Sequence, residues 1–150
     1  MKNKNLKNKS GKGFTLIELL VVVAILGVLA TITMVSLSDA RARSRDARRV
    51  QDMKTLQDAL ALYQTRVTLY PDASTAITIN GTTDVLSLAL KSEGSMSSVP
   101  VDPLNRAQGG VNYFYTYQSL SSRTSYAITY CLETSSIKGM TAGCGKQISP

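Results

Sequence analysis

The chain contains no histidine and no tryptophan, and only two of its 150 residues are cysteine. Without histidine it lacks the side chain that most often acts as a general base near neutral pH and the commonest protein ligand of transition metals. The sequence also shows no glycine-rich phosphate loop, no nucleophile beside a base and no cluster of metal-ligating residues. We therefore expect no catalytic residue, no cofactor and no metal, and an enzyme is not predicted.

Acidic residues are absent from residues 1–13, which hold five of the 17 basic side chains: Lys2, Lys4, Lys7, Lys9 and Lys12. Without these lysines the chain has 12 basic and 10 acidic side chains, so the formal charge falls from +7 to +2. The basic character therefore belongs mainly to a short segment typical of targeting signals, and not to a nucleic-acid-binding surface.

The next segment has no proline and almost no charged residues. Between Phe14 and Leu37 the one ionisable side chain is Glu18. A bilayer core of about 30 Å is crossed by roughly 20 helical residues, so this segment is long enough to span a membrane. The preceding lysines favour a cytoplasmic N-terminus, but only narrowly, because residues 39–54 on the far side carry a net charge of +3.

Two simple interpretations fit this segment poorly. A secretory signal peptide normally has an apolar region of about 7–15 residues, shorter than this one, although Ala40-Arg41-Ala42 provides a small-x-small cleavage site. A plain signal anchor for an outer binding domain that never polymerises does not explain Glu18, because a carboxylate within a membrane span is costly unless a cation meets it.

A third interpretation supplies that cation. The run Lys12-Gly13-Phe14-Thr15-Leu16-Ile17-Glu18, followed by fourteen apolar or small residues from Leu19 to Ile32, resembles the type IV pilin and pseudopilin family. The resemblance implies that 1–13 is a prepilin leader and that prepilin peptidase cuts between Gly13 and Phe14. It also implies N-methylation of the new Phe14 amine. Glu18 would then pair with the Phe14 amine of a neighbouring subunit and fix the register of assembly.

The same resemblance implies partners and a location. The partners would be copies of this chain, the prepilin peptidase, an inner-membrane assembly platform with its ATPase, and membrane lipid before assembly. The chain would cross the cytoplasmic membrane once, with its N-terminus inside, and then enter an extracellular or periplasmic filament. Many family members carry a proline near the position of Val35, which this chain lacks. Gly27 remains a possible soft point of the helix, since glycine costs about 1 kcal/mol in a helix interior.

The helix is expected to continue beyond the membrane, because apolar residues recur at steps of three and four. These residues are Val50, Met53, Leu56, Leu60, Tyr63 and Val67. A single helix from Phe14 to about Arg66 follows, with an assembly half at 14–37 and an amphipathic half within 38–68. The arginines between Arg41 and Arg49 suggest either a DNA-uptake surface or a solvated, internally paired helix face; the absence of interleaved aromatics favours the second.

The remaining residues, 69–150, are expected to form a small α/β head. Asp84 is placed to cap a short helix over Val85–Ser92. Two runs, 111–118 and 125–132, alternate in the manner of strands around a turn region at 119–123. Their tyrosine stripes are interpreted as sheet packing and not as a ligand-binding face. The predicted fold class is α+β, a long N-terminal helix packed on a small antiparallel sheet.

A second resemblance lies in the head. Pro100-x-Asp102-Pro103 followed by Tyr113-x-Tyr115 looks like the major pseudopilin of type II secretion, whereas the cysteine pair is placed like the C-terminal disulfide of type IV pilins. A Cys131–Cys144 bridge would add about 3 kcal/mol of stability in the chain-entropy model; two free thiols remain the alternative. Major pseudopilins also hold calcium with acidic residues of a C-terminal loop, but this chain has no acid after Glu133. The resemblance thus predicts a filament subunit of either a type IV pilus or a secretion pseudopilus.

Overall fold

The computed structural model describes residues 13–150, except for the side chains of Thr33 and Val35. The expected leader lysines lie outside the described residues. By its internal contacts the chain divides into an N-terminal unit that ends at Asp39 and a second unit, Ala40–Pro150, called the globular unit below.

One long helix, α1 (Leu16–Arg66, 51 residues), runs through both units and confirms the predicted single helix. It is uninterrupted at Gly27 and across residues 27–35, the stretch where the family's proline is missing. By length and composition, α1 includes a segment that is apolar enough to cross a membrane.

The second part of α1 buries its predicted apolar stripe in the core of the globular unit. Leu56 and Leu60 are fully buried, and Met53 and Tyr63 are nearly so. Residues at steps of three and four share one helix face, and Lys54, Thr55 and Asp58 outside that face are exposed. The stripe therefore fixes which side of the helix faces the sheet.

A four-stranded antiparallel sheet packs against α1. Its strands are β1 (Ile77–Thr78), β4 (Thr116–Leu120), β5 (Ser125–Leu132) and β6 (Gly143–Ile148), and they lie in the order β1-β4-β5-β6. A separate hairpin consists of β2 (Arg106–Gln108) and β3 (Val111–Tyr113). A short 3₁₀ turn at Ser121–Arg123 joins β4 to β5.

The helix predicted in the head is confirmed as α2 (Val85–Ser92) with Asp84 as its N-cap. The Asp84 carboxylate accepts a hydrogen bond from the backbone N–H of Ser87 at 2.8 Å, which satisfies one of the donors left free at a helix start. Leu86 and Leu90 of α2 are fully buried in the core.

The first predicted strand, 111–118, is in fact divided between two sheets. Its beginning, β3, pairs with β2, and its end, β4, pairs with β5. Tyr115 lies at the break: its carbonyl accepts from the backbone N–H of Ile79 at 2.8 Å and its hydroxyl donates to Asp52 at 2.9 Å. These two long-range bonds lie where the two strands divide, although the residue alternation runs on without interruption.

Buried tyrosines fill the space between the sheet and α1. Tyr115, Tyr117, Tyr126 and Tyr130 are all almost inaccessible to solvent. The rings of Tyr70 and Tyr126 meet edge to face with centroids 4.8 Å apart, a favourable aromatic geometry. The tyrosine stripes thus serve packing, as the sequence predicted.

Candidate functional site

The apolar part of α1 forms one exposed surface in the isolated chain. Every large apolar side chain described between Phe14 and Leu37 is exposed, from 46% for Val22 to 86% for Leu16. Such a surface far exceeds the scattered apolar residues that soluble monomers show in water. It requires a cover, either lipid or other helices.

Glu18 lies within this surface and is bound to Thr15 at the start of α1. Its Oε2 accepts from the backbone N–H and from the hydroxyl of Thr15, both at 2.8 Å. The Thr15 hydroxyl in turn accepts from the Glu18 backbone N–H at 3.3 Å. This reciprocal arrangement is a capping box, which our sequence reasoning missed although the Thr-x-x-Glu spacing signals it.

The capping box occupies only one oxygen of Glu18. Within residues 13–150 as described, no hydrogen bond reaches Oε1. Phe14, Ile17 and Val21 line a shallow groove together with this carboxylate. A cation that approaches the groove would therefore meet a carboxylate already fixed in orientation by Thr15.

Gly27 lies in the same apolar stretch with open space around it. A Cβ placed there would have no atom within 4 Å, so packing inside the chain does not require glycine. Its absent side chain leaves the helix backbone accessible to a close neighbour.

The arginine-rich part of α1 differs from its sequence interpretation. Asp46 and Arg49 are completely buried, so the description of this stretch as a solvated face is wrong for them. An ion pair within the helix joins Arg48 to Asp52, with 3.9 Å between Nε and Oδ2. No ion pair joins Asp39 to Arg43, both of which the structure describes. Arg41, Arg43 and Arg48 remain exposed.

The fully buried Arg49 is the centre of an ion-pair network that we call the Arg49 cluster, in which Asp46 and Asp102 are buried and Arg45 and Glu133 are partly buried. Its guanidinium donates to both oxygens of Asp102, from Nε at 2.8 Å and from Nη2 at 3.0 Å. Its Nη1 donates to Asp46 at 2.8 Å and to Glu133 at 2.6 Å.

The remaining members of the Arg49 cluster complete the network. Arg45 binds Glu133 through Nε at 2.7 Å and Nη2 at 2.5 Å. Asp46 accepts from the backbone N–H groups of Glu133 and Thr134 at 2.9 and 2.8 Å, and from the Thr134 hydroxyl at 2.7 Å. These bonds link helix α1 to Asp102, in the segment 100–103 that we call the connector, and to the residues that follow β5.

These contacts shift the pKa values of the buried carboxyls. Burial alone would raise the pKa of Asp46, but hydrogen bonds from Glu133 and Thr134 outweigh it and hold the pKa below its usual value. Burial would also raise the pKa of Glu133, but the hydrogen bonds from Arg45 and Arg49 outweigh it and lower that pKa below its usual value. Asp52 behaves oppositely, because burial raises its pKa more than its bond from Tyr115 lowers it.

Cys131 and Cys144 form the disulfide that the pilin resemblance implied. The bridge joins β5 to β6 at an irregularity in the strand register between Tyr130 and Leu132. It lies two residues before Glu133, so the disulfide and the Arg49 cluster hold the same stretch of chain.

The apolar helix that starts with the Thr15–Glu18 capping box belongs to a segment that matches known proteins. Residues 8–34 match the family described as the prokaryotic N-terminal methylation motif. The chain is homologous to prepilin-type proteins. A fimbrial protein of Pseudomonas aeruginosa is 47% identical over 51 residues, which cover 34% of this chain and 33% of the relative.

The homology to secretion proteins extends further along the chain. Type II secretion system core protein G of Escherichia coli K12 is 30% identical over 95 residues, 61% of this chain and 66% of the relative. The corresponding protein of Vibrio cholerae is 29% identical over 99 residues, 65% of this chain and 68% of the relative. The chain thus matches only a third of the fimbrial protein's length, and no solved structure matches it at a significant level.

Proposed function

We propose that the chain is the structural subunit of a type IV pilus-like filament and has no catalytic role. The observation that carries the proposal is the methylation motif matched at 8–34, whose residues from Leu16 onward form an exposed apolar helix with Glu18 as its third residue. A membrane would cover this surface before assembly, and other subunits' helices would cover it in the filament.

The proposed maturation follows from the motif. Prepilin peptidase removes the leader between Gly13 and Phe14 and N-methylates Phe14. The new amine is a cation, since an α-amino group has a pKa of about 8. The mature chain would cross the cytoplasmic membrane once, with Phe14 at the cytoplasmic face, before an assembly platform and its ATPase extract it.

Assembly would bring the Phe14 amine of one subunit to Glu18 of the next. Phe14, Ile17 and Val21 form an exposed apolar groove beside Oε1, the oxygen that Thr15 leaves free, and the helices of neighbouring subunits would exclude water from it in the filament. A pair of opposite charges in such apolar surroundings costs less than either charge alone. Since only one axial offset joins the two groups, the pair would set the helical register.

Maturation is tested by intact-mass measurement and N-terminal sequencing of the chain extracted from membranes. We expect the chain to begin at N-methylated Phe14. A chain that still begins at Met1 would contradict the proposal and support a membrane-anchored binding domain that does not polymerise.

The role of Glu18 is tested by Glu18→Ala, with Asp58→Ala, an exposed acid of the same helix, as the matched control. We expect Glu18→Ala to enter the membrane normally but to yield at least tenfold fewer filaments in shear fractions, and the control to assemble normally. Normal filament yield from Glu18→Ala would exclude the pairing.

The second candidate function is a pseudopilus of type II secretion, as in the relatives named core protein G. The longer match to these relatives favours it, as does the buried Asp102 of the Pro-x-Asp-Pro connector. Deletion of the gene for this chain distinguishes a pilus from a secretion pseudopilus. Loss of surface fibres supports the pilus, whereas loss of exoprotein secretion without loss of fibres supports the pseudopilus.

A further inference from the structure

The Arg49 cluster gathers three carboxylates from three distant parts of the chain around one buried cation. Asp46 is on α1, Asp102 is in the connector between the two prolines, and Glu133 follows β5. Asp102 and Glu133 lie 53 and 84 residues from Arg49 in sequence. Tying remote segments together through anionic ligands is what structural metal ions do in small domains.

We propose that Arg49 takes the place of a structural metal ion in the globular unit, which therefore folds and remains stable independently of calcium. The inference concerns the folding of this unit and holds whether or not the chain forms filaments.

The first support is that the carboxylates have no oxygen left for a metal. Asp46 uses Oδ1 for Arg49 and the Glu133 backbone, and Oδ2 for Thr134. Glu133 uses Oε1 for both arginines and Oε2 for Arg45. Asp102 uses both oxygens for Arg49, and its Oδ1 also accepts from the Leu104 backbone at 2.8 Å.

The second support is the charge at the centre of the cluster. Calcium takes 6–8 oxygen ligands at about 2.3–2.6 Å, but here the Arg49 guanidinium fills the space between the carboxylates. A divalent ion would have to displace a bidentate arginine or lie beside it against strong like-charge repulsion. Among the residues the structure describes, no group of three or more acidic or cysteine side chains is arranged to hold a metal.

The third support is the surrounding chain. The tyrosine ring of Tyr113 covers Arg49 with its centroid 4.9 Å from the guanidinium carbon, a cation–π contact that suits arginine. The C-terminal loop, where the major pseudopilins carry calcium ligands, has no acid after Glu133 and is closed by the Cys131–Cys144 bridge. The calcium-ligand set of those proteins does not fit this chain.

The consequence is a difference in behaviour. A metal ion leaves its site when chelator or dilution removes it, whereas a guanidinium is covalently attached and stays charged at all physiological pH values. The globular unit should therefore keep its structure in media that contain no calcium.

The test uses the full chain in detergent and follows thermal unfolding by the near-ultraviolet signal of tyrosine. All seven tyrosines lie between residues 63 and 130 and there is no tryptophan, so this signal reports on the globular unit alone. We expect the same melting temperature in excess EDTA and in millimolar calcium chloride. A higher melting temperature in calcium, or loss of the signal in EDTA, would overturn the proposal.

A pair of variants tests Arg49 directly in calcium-free buffer. Arg49→Gln should lower the melting temperature by roughly 10 °C or more, because it leaves the buried Asp46 and Asp102 without their cation and removes one of the two arginines bound to Glu133. Arg48→Gln is the matched control on the exposed side of the same turn and should change it by less than about 2 °C. An Arg49→Gln chain as stable as its control would overturn the proposal; if that variant does not fold, the comparison of EDTA and calcium on the unaltered chain still decides.

Discussion

Neighbouring residues of α1 have very different surroundings even though they are chemically alike. Arg48 is exposed and makes one long contact to Asp52, whereas Arg49, the next residue, is fully buried between three carboxylates. Surface ion pairs contribute little to stability, but removal of one partner of a buried pair is strongly destabilising. Of the arginines between Arg41 and Arg49, Arg49 therefore contributes most to the stability of the fold.

The buried carboxylates predict how stability depends on pH. The pKa values of Asp46 and Glu133 are lowered in the folded chain, so the stability they confer is present above their unfolded pKa values, about 4, and is lost as the pH falls through the folded values. With no histidine in the chain, no side chain of ordinary pKa titrates between about pH 5 and 8. We expect nearly constant stability in urea from pH 8 to 5 and a steep loss below about pH 4.

Glu133→Gln serves as the comparison for this pH profile. The variant should be less stable at pH 7 and should lose less further stability on acidification, because one of the titrating groups is gone. A loss of stability centred near pH 6 in the unaltered chain would contradict the assignment to these carboxyls.

The helix α1 has two halves with the same backbone conformation but different surfaces. Up to Leu37 it is apolar all round and exposed, while beyond Val50 it is amphipathic and buries one face against the sheet. A helix that is apolar on every side is typical of a membrane span or of a core, whereas a one-sided stripe is typical of packing on a sheet. The two halves thus serve different environments within one continuous helix.

Leu60 and Leu62 test this assignment of faces. Leu60 is fully buried and Leu62 is 42% exposed. Leu60→Ala should reduce the free energy of unfolding by about 2–5 kcal/mol, since it leaves a cavity under the sheet, whereas Leu62→Ala should change it by less than about 1 kcal/mol. Urea titration followed by tyrosine signal measures both; equal losses would contradict the packing of α1 described above.

The elements also show which parts of the fold could be predicted. Helix α2 was predictable because its cap, Asp84, and its apolar residues lie within one short stretch. Strand β1 has only two residues, and β6 contains Gly143 and Gly145 with φ of 111° and 82°, so neither shows regular alternation. Both strands exist because partners in β4 and β5 hold them, and such pairing is not encoded locally.

For the whole molecule, a disulfide and a nearby ion pair both hold the C-terminal third of the chain in place. The Cys131–Cys144 bridge connects β5 to the edge strand β6, and Glu133 connects the end of β5 to α1. Disulfides form and persist mainly in oxidising compartments, which supports the proposed location of the globular unit outside the cytoplasm. The disulfide and the Glu133 ion pair together position the loop between the cysteines.

Reduction of the disulfide should weaken the globular unit without unfolding the apolar part of α1. We expect the double variant Cys131→Ser, Cys144→Ser to lose about 3 kcal/mol in the free energy of unfolding, with the single variants equally affected. Reductant should lower the melting temperature of the unaltered chain and leave that of the double variant unchanged. A double variant as stable as the oxidised chain would show that the Arg49 cluster suffices alone.

The sequence by itself determined the N-terminal features, because each depends on residues that are near one another. The methylation motif, the apolar span, the Thr15–Glu18 spacing and the stripe of α1 are all local patterns of identity and period. The Cys131–Cys144 pair, with a sequence separation of 13, was also accessible through resemblance to a family. Tertiary structure decided where Arg49 and Asp46 lie and how the run from Val111 to Gln118 divides. These outcomes depend on Asp102, Glu133, Ile79 and Asp52, which distant segments bring into contact and which no local period can specify.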